Sequence, residues 1–226
     1  MVLISMSSSD ADIWAVLVSG YAAEHYTFFQ NLGKQGFLTT MFRRHGFKHV
    51  NARRSLQTTA NDNIFLYFIG DSSPDGIYIG GVLLKTKRFQ RLLDDMHLHG
   101  RYRHMYIVMD TPSSGAFLSR LNLNGINVVA LASISHDVTP KPPETGYFTW
   151  VWLSSAYNDP QYTLNQVMRK VESDDLNWPF QVAGYGSDTL LTTLQLTAFI
   201  GNAPAEYPSE RPLPPLILPD EYLVNL

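Results

Sequence analysis

The chain has 226 residues, 45% of them hydrophobic and 12% aromatic, which is enough to fill the core of one large domain. Only 16% are charged, the formal net charge is −3, and no basic stripe is interleaved with aromatic residues, so nucleic-acid binding is not expected. The sequence contains no cysteine, which excludes disulfides, thiolate metal ligands and a cysteine nucleophile. Apolar runs such as 64–69 are too short to span a membrane. The first nine residues lack the basic start and the apolar run of a secretory signal.

Short apolar runs alternate with segments of helical period, a pattern typical of an α/β domain with a mostly parallel sheet. The predicted strands, in chain order, are 13–18, 47–50, 64–69, 76–84, 105–109 and 126–132. The predicted helices are 24–44, 86–99, 146–156 and 161–172, and residues 178–202 are ambiguous between short strands and a helix. The proline-rich stretch 203–226 is predicted to be an extended tail, which leaves 1–202 as the folded domain.

In sheets of this kind, ligands and chemistry lie at the carboxyl ends of the parallel strands. That rule selects two loops of this chain, 70–76 after the apolar run 64–69 and 110–115 after the run 105–109. Both loops are rich in serine, aspartate, proline and glycine, which are turn-forming residues. We therefore expect any functional site to be built from these two loops.

The two loops and their strands resemble the legumain-type cysteine peptidases, and most closely the catalytic subunit of GPI transamidase. The segments that carry the resemblance are 14–18, 64–70 (IFLYFIG), 89–102, 106–111 (YIVMDT) and 127–133. In order and spacing they cover about residues 12–202. The resemblance implies a caspase-like fold, in which a mostly parallel central sheet lies between two layers of helices.

The same resemblance implies that both catalytic positions have changed. Where the family has its catalytic histidine, this chain has Asp71, and Ser72 replaces the glycine that follows. The position of the nucleophilic cysteine is occupied by Pro112. Proline offers no nucleophile and has no backbone N–H, so it also removes an amide that the family uses to stabilise the oxyanion.

Ser113 and Ser114 follow the altered position, and Ser113 is the candidate for a substitute nucleophile, with Asp71 as a possible general base. A carboxylate is a weak base for a hydroxyl, and serines in a Thr-Pro-Ser-Ser-Gly loop are commonly turn formers or helix N-caps. Asp71 is itself an ordinary turn starter at a strand end. Asp110 is expected to hold the loop that follows it by accepting backbone N–H bonds, a structural role.

These observations predict a non-catalytic homologue of the GPI transamidase catalytic subunit, which binds a peptide or serves as a scaffold in a transamidase-type assembly. The alternative is an active transamidase or hydrolase that uses Ser113. A third interpretation is a divergent product without a retained biochemical role. We expect a protein or peptide partner, and no cofactor, metal, nucleic acid or membrane span. The resemblance implies the endoplasmic reticulum, while the N-terminus shows no entry signal, which leaves the cytoplasm as the alternative.

Overall fold

The computed structural model describes residues 2–7, 12–19, 49–50, 58–79, 82–134, 148–149, 152, 159–173 and 182–201. The strands in these ranges are β1 (Val2–Ser7), β2 (Asp12–Ser19), β3 (His49–Val50), β4 (Asn63–Ile69), β5 (Ser72–Ser73), β6 (Gly76–Ile79), β7 (Val82–Lys85), β8 (His104–Asp110), β9 (Val128–Ala132) and β10 (Ala183–Gly186). The helices are α1 (Thr86–Leu98), α2 (Ser114–Leu118), α3 (Leu164–Ser173), α4 (Asp188–Thr193) and α5 (Thr197–Ile200). Phe148, Thr149 and Trp152 are also helical.

Seven of these strands form one sheet in the order β10-β9-β8-β4-β2-β1-β3. Strands β2, β4, β8 and β9 are parallel to one another, while β10 and the pair β1 and β3 add antiparallel edges. The strand β4 lies in the middle of this order, and its side chains are almost all buried. The remaining strands form a small antiparallel sheet in the order β5-β6-β7.

Alternate side chains of the central strands point to opposite faces of the sheet, and helices cover both faces. Phe65 and Tyr67 belong to a core cluster with Trp152 and with buried residues of α3, α4 and α5. Ile64 and Phe68 belong to a second cluster with buried residues of α1 and α2. The result is a three-layer α/β fold with a mostly parallel central sheet, as the sequence predicted.

Most of the predicted elements within the described ranges are confirmed, with boundaries that differ by one to three residues. The segment 76–84, predicted as a strand of a hairpin, contains two antiparallel strands, β6 and β7. Gly76 allows these two strands to lie close together. A Cβ atom at Gly76 would lie 2.5 Å from the backbone oxygen of Leu84. The ambiguous stretch 178–202 contains β10, α4 and α5.

Other predictions fall on residues that the structure describes only in part or not at all. The predicted helix 24–44 and the tail 203–226 lie outside the described residues. Of the predicted helix 146–156, only Phe148, Thr149 and Trp152 are described, and all three are helical. Among the described residues, no helix combines the length and the apolar character that crossing a membrane would require.

Candidate functional site

The site predicted from the sequence lies where β4 and β8 end. These strands are parallel neighbours, and their register pairs Ile69 with Asp110. The backbone N–H of Gly70 continues the ladder by donating to the oxygen of Asp110 at 3.3 Å. The loops that leave the two strands therefore start side by side at one edge of the sheet, as the sequence predicted.

A single hydroxyl group joins the two loops directly. The Oγ of Ser72 donates to the Oγ1 of Thr111 at 2.8 Å and accepts the backbone N–H of Ser113 at 3.2 Å. Farther along the same loop, Arg120 donates to the backbone oxygen of Pro74 at 2.9 Å and to the carboxylate of Asp75 at 2.7 Å. The loop after β4 is thus bonded to the segment after β8 at two separate points.

Pro112 is the second residue of a tight turn that leads from β8 into α2. The backbone N–H of Ser114 donates to the oxygen of Thr111 at 3.1 Å, which closes the turn. Proline is favoured at the second position of such turns because its ring fixes φ near the required value. Ser113 is the N-cap residue of α2, as expected for a serine in this loop, but its side chain makes no capping hydrogen bond.

No hydrogen bond joins Asp71 to Ser113 in the part of the chain that the structure describes. Asp71 is exposed and Ser113 is half-buried. Within the described part of the chain, neither side chain makes a hydrogen bond, and the Asp71 backbone oxygen accepts the N–H of Tyr78 at 3.0 Å. Asp71 therefore begins the hairpin formed by β5 and β6, and its carboxylate is not positioned to activate the Ser113 hydroxyl.

Ser114, which the sequence analysis named beside Ser113 as a possible substitute nucleophile, is a buried part of the site. It is fully buried, its Oγ lies 3.3 Å from the Oγ of Ser133, and it accepts the backbone N–H of Ile134 at 3.2 Å. The N–H of Gly115 donates to the oxygen of Ile134 at 2.9 Å. These bonds fix the start of α2 against the end of β9. The small residues that follow the buried strand β8 are the sequence feature that could have indicated this close packing.

Asp110 is the last residue of β8, and its carboxylate is buried below the two site loops. It is 1% exposed, and its Oδ2 accepts the Oγ1 of Thr149 at 2.5 Å and the backbone N–H of Thr149 at 3.3 Å. Tyr67 donates its hydroxyl to the same Thr149 Oγ1 at 2.8 Å. Asp110 does accept a backbone N–H, as expected, but the donor lies in a helical segment 39 residues away and not in the loop that Asp110 was expected to hold.

Burial is the main cause of a raised pKa for the Tyr67 hydroxyl, and the nearby charge of Asp110 raises this pKa further. The hydrogen bond with Thr149 acts in the opposite direction but is the smaller effect on this pKa. Tyr67 therefore stays neutral and can serve as a hydrogen-bond donor to Thr149 over the whole neutral range. The chain Tyr67–Thr149–Asp110 joins β4, β8 and the helical residues above them.

Comparison with known proteins assigns the family. The profile of the Peptidase C13 family matches residues 17–172, which is more than half of the chain and includes both site loops. The chain belongs to the Peptidase C13 family. This confirms the resemblance to the legumain-type peptidases, and the three-layer fold agrees with the caspase-like fold of that family.

Two curated proteins are similar to this chain. A hemoglobinase of Schistosoma mansoni is 24% identical over 160 residues, which are 65% of this chain and 36% of that protein. The vacuolar-processing enzyme delta-isozyme of Arabidopsis thaliana is 24% identical over 166 residues, 64% of this chain and 35% of that protein. The chain thus spans about a third of the length of the curated relatives it matches. The particular closeness to GPI transamidase and the boundary at residue 202 stay predictions.

The first prediction concerns the bond between Thr149 and Asp110. Replacement Thr149→Val keeps the shape of the side chain but removes the hydroxyl that satisfies a buried carboxylate. We expect the free energy of unfolding, measured by urea denaturation, to fall by about 1–3 kcal/mol. The matched control Thr189→Val alters an exposed threonine and should change stability by no more than about 0.5 kcal/mol. Equal stability of the two variants would contradict the proposed importance of the bond.

The second prediction uses the raised pKa of Tyr67. Because the folded state keeps this hydroxyl protonated while the unfolded state ionises near pH 10, the stabilisation is present below about pH 10 and is lost as the pH rises further. Relative to Tyr67→Phe, which cannot ionise, the unmodified chain should lose up to about 1.4 kcal/mol of stability per pH unit above pH 10. Urea denaturation of both chains between pH 8 and 11 measures this difference. A constant difference across that range would show that Tyr67 ionises normally in the folded protein.

Proposed function

We propose that this chain is a non-catalytic member of the Peptidase C13 family that works by binding a peptide or protein partner. The observation that carries the proposal is the occupant of the nucleophile position. The resemblance aligns Pro112 with the family's catalytic cysteine, and the sequence contains no cysteine at all. The resemblance further suggests a role related to the catalytic subunit of GPI transamidase.

The chemistry of a thiol peptidase needs a nucleophile, a base and donors for the oxyanion. Pro112 supplies neither a nucleophile nor an N–H group. The next backbone N–H, that of Ser113, already donates to Ser72 inside the protein. Removal of one oxyanion donor alone typically lowers the rate about 100- to 1000-fold, so the combined changes favour the loss of catalysis.

The structure around the altered positions supports retention of the fold for another purpose. Both faces of the sheet are closely packed, and the turn at Pro112 is closed by its own hydrogen bond. Ser72 and Arg120 hold the two site loops together through hydrogen bonds within the protein itself. A surface that is ordered before binding loses less conformational entropy when a partner docks, and such a surface suits a scaffold or peptide-binding module.

A second candidate function is a hydrolase or transamidase that uses Ser113. One observation favours it: the Ser113 hydroxyl is partly exposed and, among the described residues, makes no hydrogen bond. A serine nucleophile also needs a base within hydrogen-bond reach. Asp71 makes no such contact in the described chain, so the binding function accounts for more of the geometry.

Loss of catalysis is tested by incubating the chain with an asparagine-containing peptide and with a GPI-signal-like peptide that is offered a small amine acceptor. We expect no cleavage and no transfer by mass spectrometry, and no labelling by a fluorophosphonate probe. The variant Ser113→Ala should be indistinguishable from the unmodified chain. The hemoglobinase of Schistosoma mansoni serves as the positive control for the peptidase assay. Turnover by the unmodified chain that Ser113→Ala abolishes would replace this proposal with the hydrolase function.

Membership of a transamidase-type assembly is tested separately, by mixing the full chain with a purified GPI transamidase complex. Size-exclusion chromatography should show that the chain elutes with the complex at micromolar concentration. The hemoglobinase of Schistosoma mansoni, as another protein of the same family, should elute separately. If both proteins elute alone, or both bind equally, the relation to GPI transamidase is contradicted.

A further inference from the structure

The small sheet next to the site has β7 at one edge. In the order β5-β6-β7, the strand β7 pairs with β6 on one side, and in the described part of the chain no strand pairs with its other side. The apolar residues here are unusually open, since Val82 is 71% exposed and Tyr78 is 39% exposed. An edge strand with free N–H and C=O groups can accept a further strand from another chain.

Positive charge is concentrated directly after this edge. Lys85 ends β7, and Lys87, Arg88 and Arg91 follow within the first two turns of α1. All four side chains are exposed, and residues 82–91 contain no aspartate or glutamate. The ion pairs found among the described residues involve His99 with Asp95 and Arg120 with Asp75, not these cations.

The stability of α1 does not explain these cations. Lys87 and Arg88 lie in its first turn, where a positive charge is unfavourable next to the positive end of the helix dipole. The nearest acidic residues of the helix are engaged elsewhere, because Asp94 accepts a hydrogen bond from Gln90 at 2.8 Å and Asp95 lies 3.3 Å from His99. The chain as a whole has a net charge of −3, so this local excess of cations is opposite to the charge of the molecule.

The edge is also held in a fixed position next to the site loops. The hairpin begins at Asp71, whose oxygen accepts the N–H of Tyr78, and ends at Thr86, whose N–H donates to the oxygen of Asp75 at 2.8 Å. Arg120 donates to the carboxylate of Asp75 from the segment after α2. These hydrogen bonds hold β7 as an extended strand next to the site loops, and an extended edge strand is what another strand can pair with.

We propose that the outer edge of β7, together with the cations at positions 85, 87, 88 and 91, binds an extended acidic segment of a partner protein. The segment adds a strand to β7, and its carboxylates lie against the four cations. This inference rests on the proposed binding function and names the chemistry of the partner. A second copy of this chain is a poorer occupant, because pairing two β7 edges would bring Lys85 and its neighbouring cations together.

The test uses a fluorescein-labelled ten-residue peptide in which glutamate alternates with valine or threonine, and measures its binding to the full chain by fluorescence anisotropy. Lys87→Glu/Arg88→Glu should weaken binding about tenfold or more, because each change replaces attraction with repulsion. The matched control Arg101→Glu/Arg103→Glu reverses two exposed cations that follow the other end of α1. It should change the affinity by less than about twofold, because the length of this 13-residue helix, about 20 Å, separates these charges from Lys87 and Arg88, and salt screens the interaction.

Two peptide controls separate strand pairing from simple charge attraction. A peptide with the same charges but with alternate backbone amides methylated should bind about tenfold or more weakly, because it has lost its ladder hydrogen bonds. A peptide with lysine in place of glutamate should not bind. Equal binding of the methylated and unmethylated peptides, or equal losses in the two double variants, would overturn the proposal.

Two further results would also overturn it: absence of binding by the acidic peptide, and self-association of the chain, seen by sedimentation, that Val82→Lys abolishes. If the acidic peptide does not bind, the proposed function is still supported, provided that the chain elutes with a GPI transamidase complex and that Lys87→Glu/Arg88→Glu does not change this elution. The second assigns the edge to another copy. Catalytic turnover by the chain would contradict the proposed function itself, whatever the affinity of the chain for the acidic peptide.

Discussion

The parallel pairing of β4 with β8 is the constraint on which the rest of the site depends. Its register sets Ile69 beside Asp110, so that the loops after the two strands leave the sheet next to each other. Ser72 can then bond to Thr111 and Ser113, and the turn at Pro112 can close against the start of α2. A slip of one residue would move every side chain of β4 to the opposite face and separate these partners.

Below the loops, a buried carboxylate stabilises this arrangement. Asp110 would be costly to bury alone, and Thr149 satisfies it with both a hydroxyl and a backbone N–H. The bond from Tyr67 completes a polar chain through an otherwise apolar core layer. The ends of β4 and β8 are thus held together beside Pro112 and Asp71, the residues that the resemblance aligns with the family's cysteine and histidine. The proposed binding function depends on this alignment.

The sequence was sufficient for the central part of the fold, because β4, β8 and β9 are continuous apolar runs that only a strand buried on both faces explains. No strand was predicted at β1, where only the last four residues of Val2–Ser7 alternate between apolar and polar types. The region of β10, which contains two glycines, was left ambiguous between short strands and a helix. The short helix α2 was missed because five residues starting with Ser-Gly carry no helical period. Edge strands and single-turn helices depend on neighbours that are distant in sequence, and so local propensity does not reveal them.

For the site, strand-end logic predicted correctly which two loops meet, whereas the bonds between them could not be predicted. The contact of Ser72 with Ser113 spans 41 residues, and that of Asp110 with Thr149 spans 39. Each depends on side-chain positions that follow from packing. The roles of Asp71 and Pro112 came from the family resemblance, and the structure adds that Asp71 begins a hairpin and that Pro112 fits a tight turn.

The most direct test of a non-catalytic site is the intact mass of the chain after exposure to an activated ester of an asparagine-containing peptide, quenched in acid at short times. An acyl-transfer enzyme that works through a covalent intermediate would retain the acyl group on its nucleophile. We predict that the mass of the chain remains unchanged at all times. An increase equal to one acyl group, located at Ser113 by fragmentation, would contradict the proposal that this site has lost its chemistry.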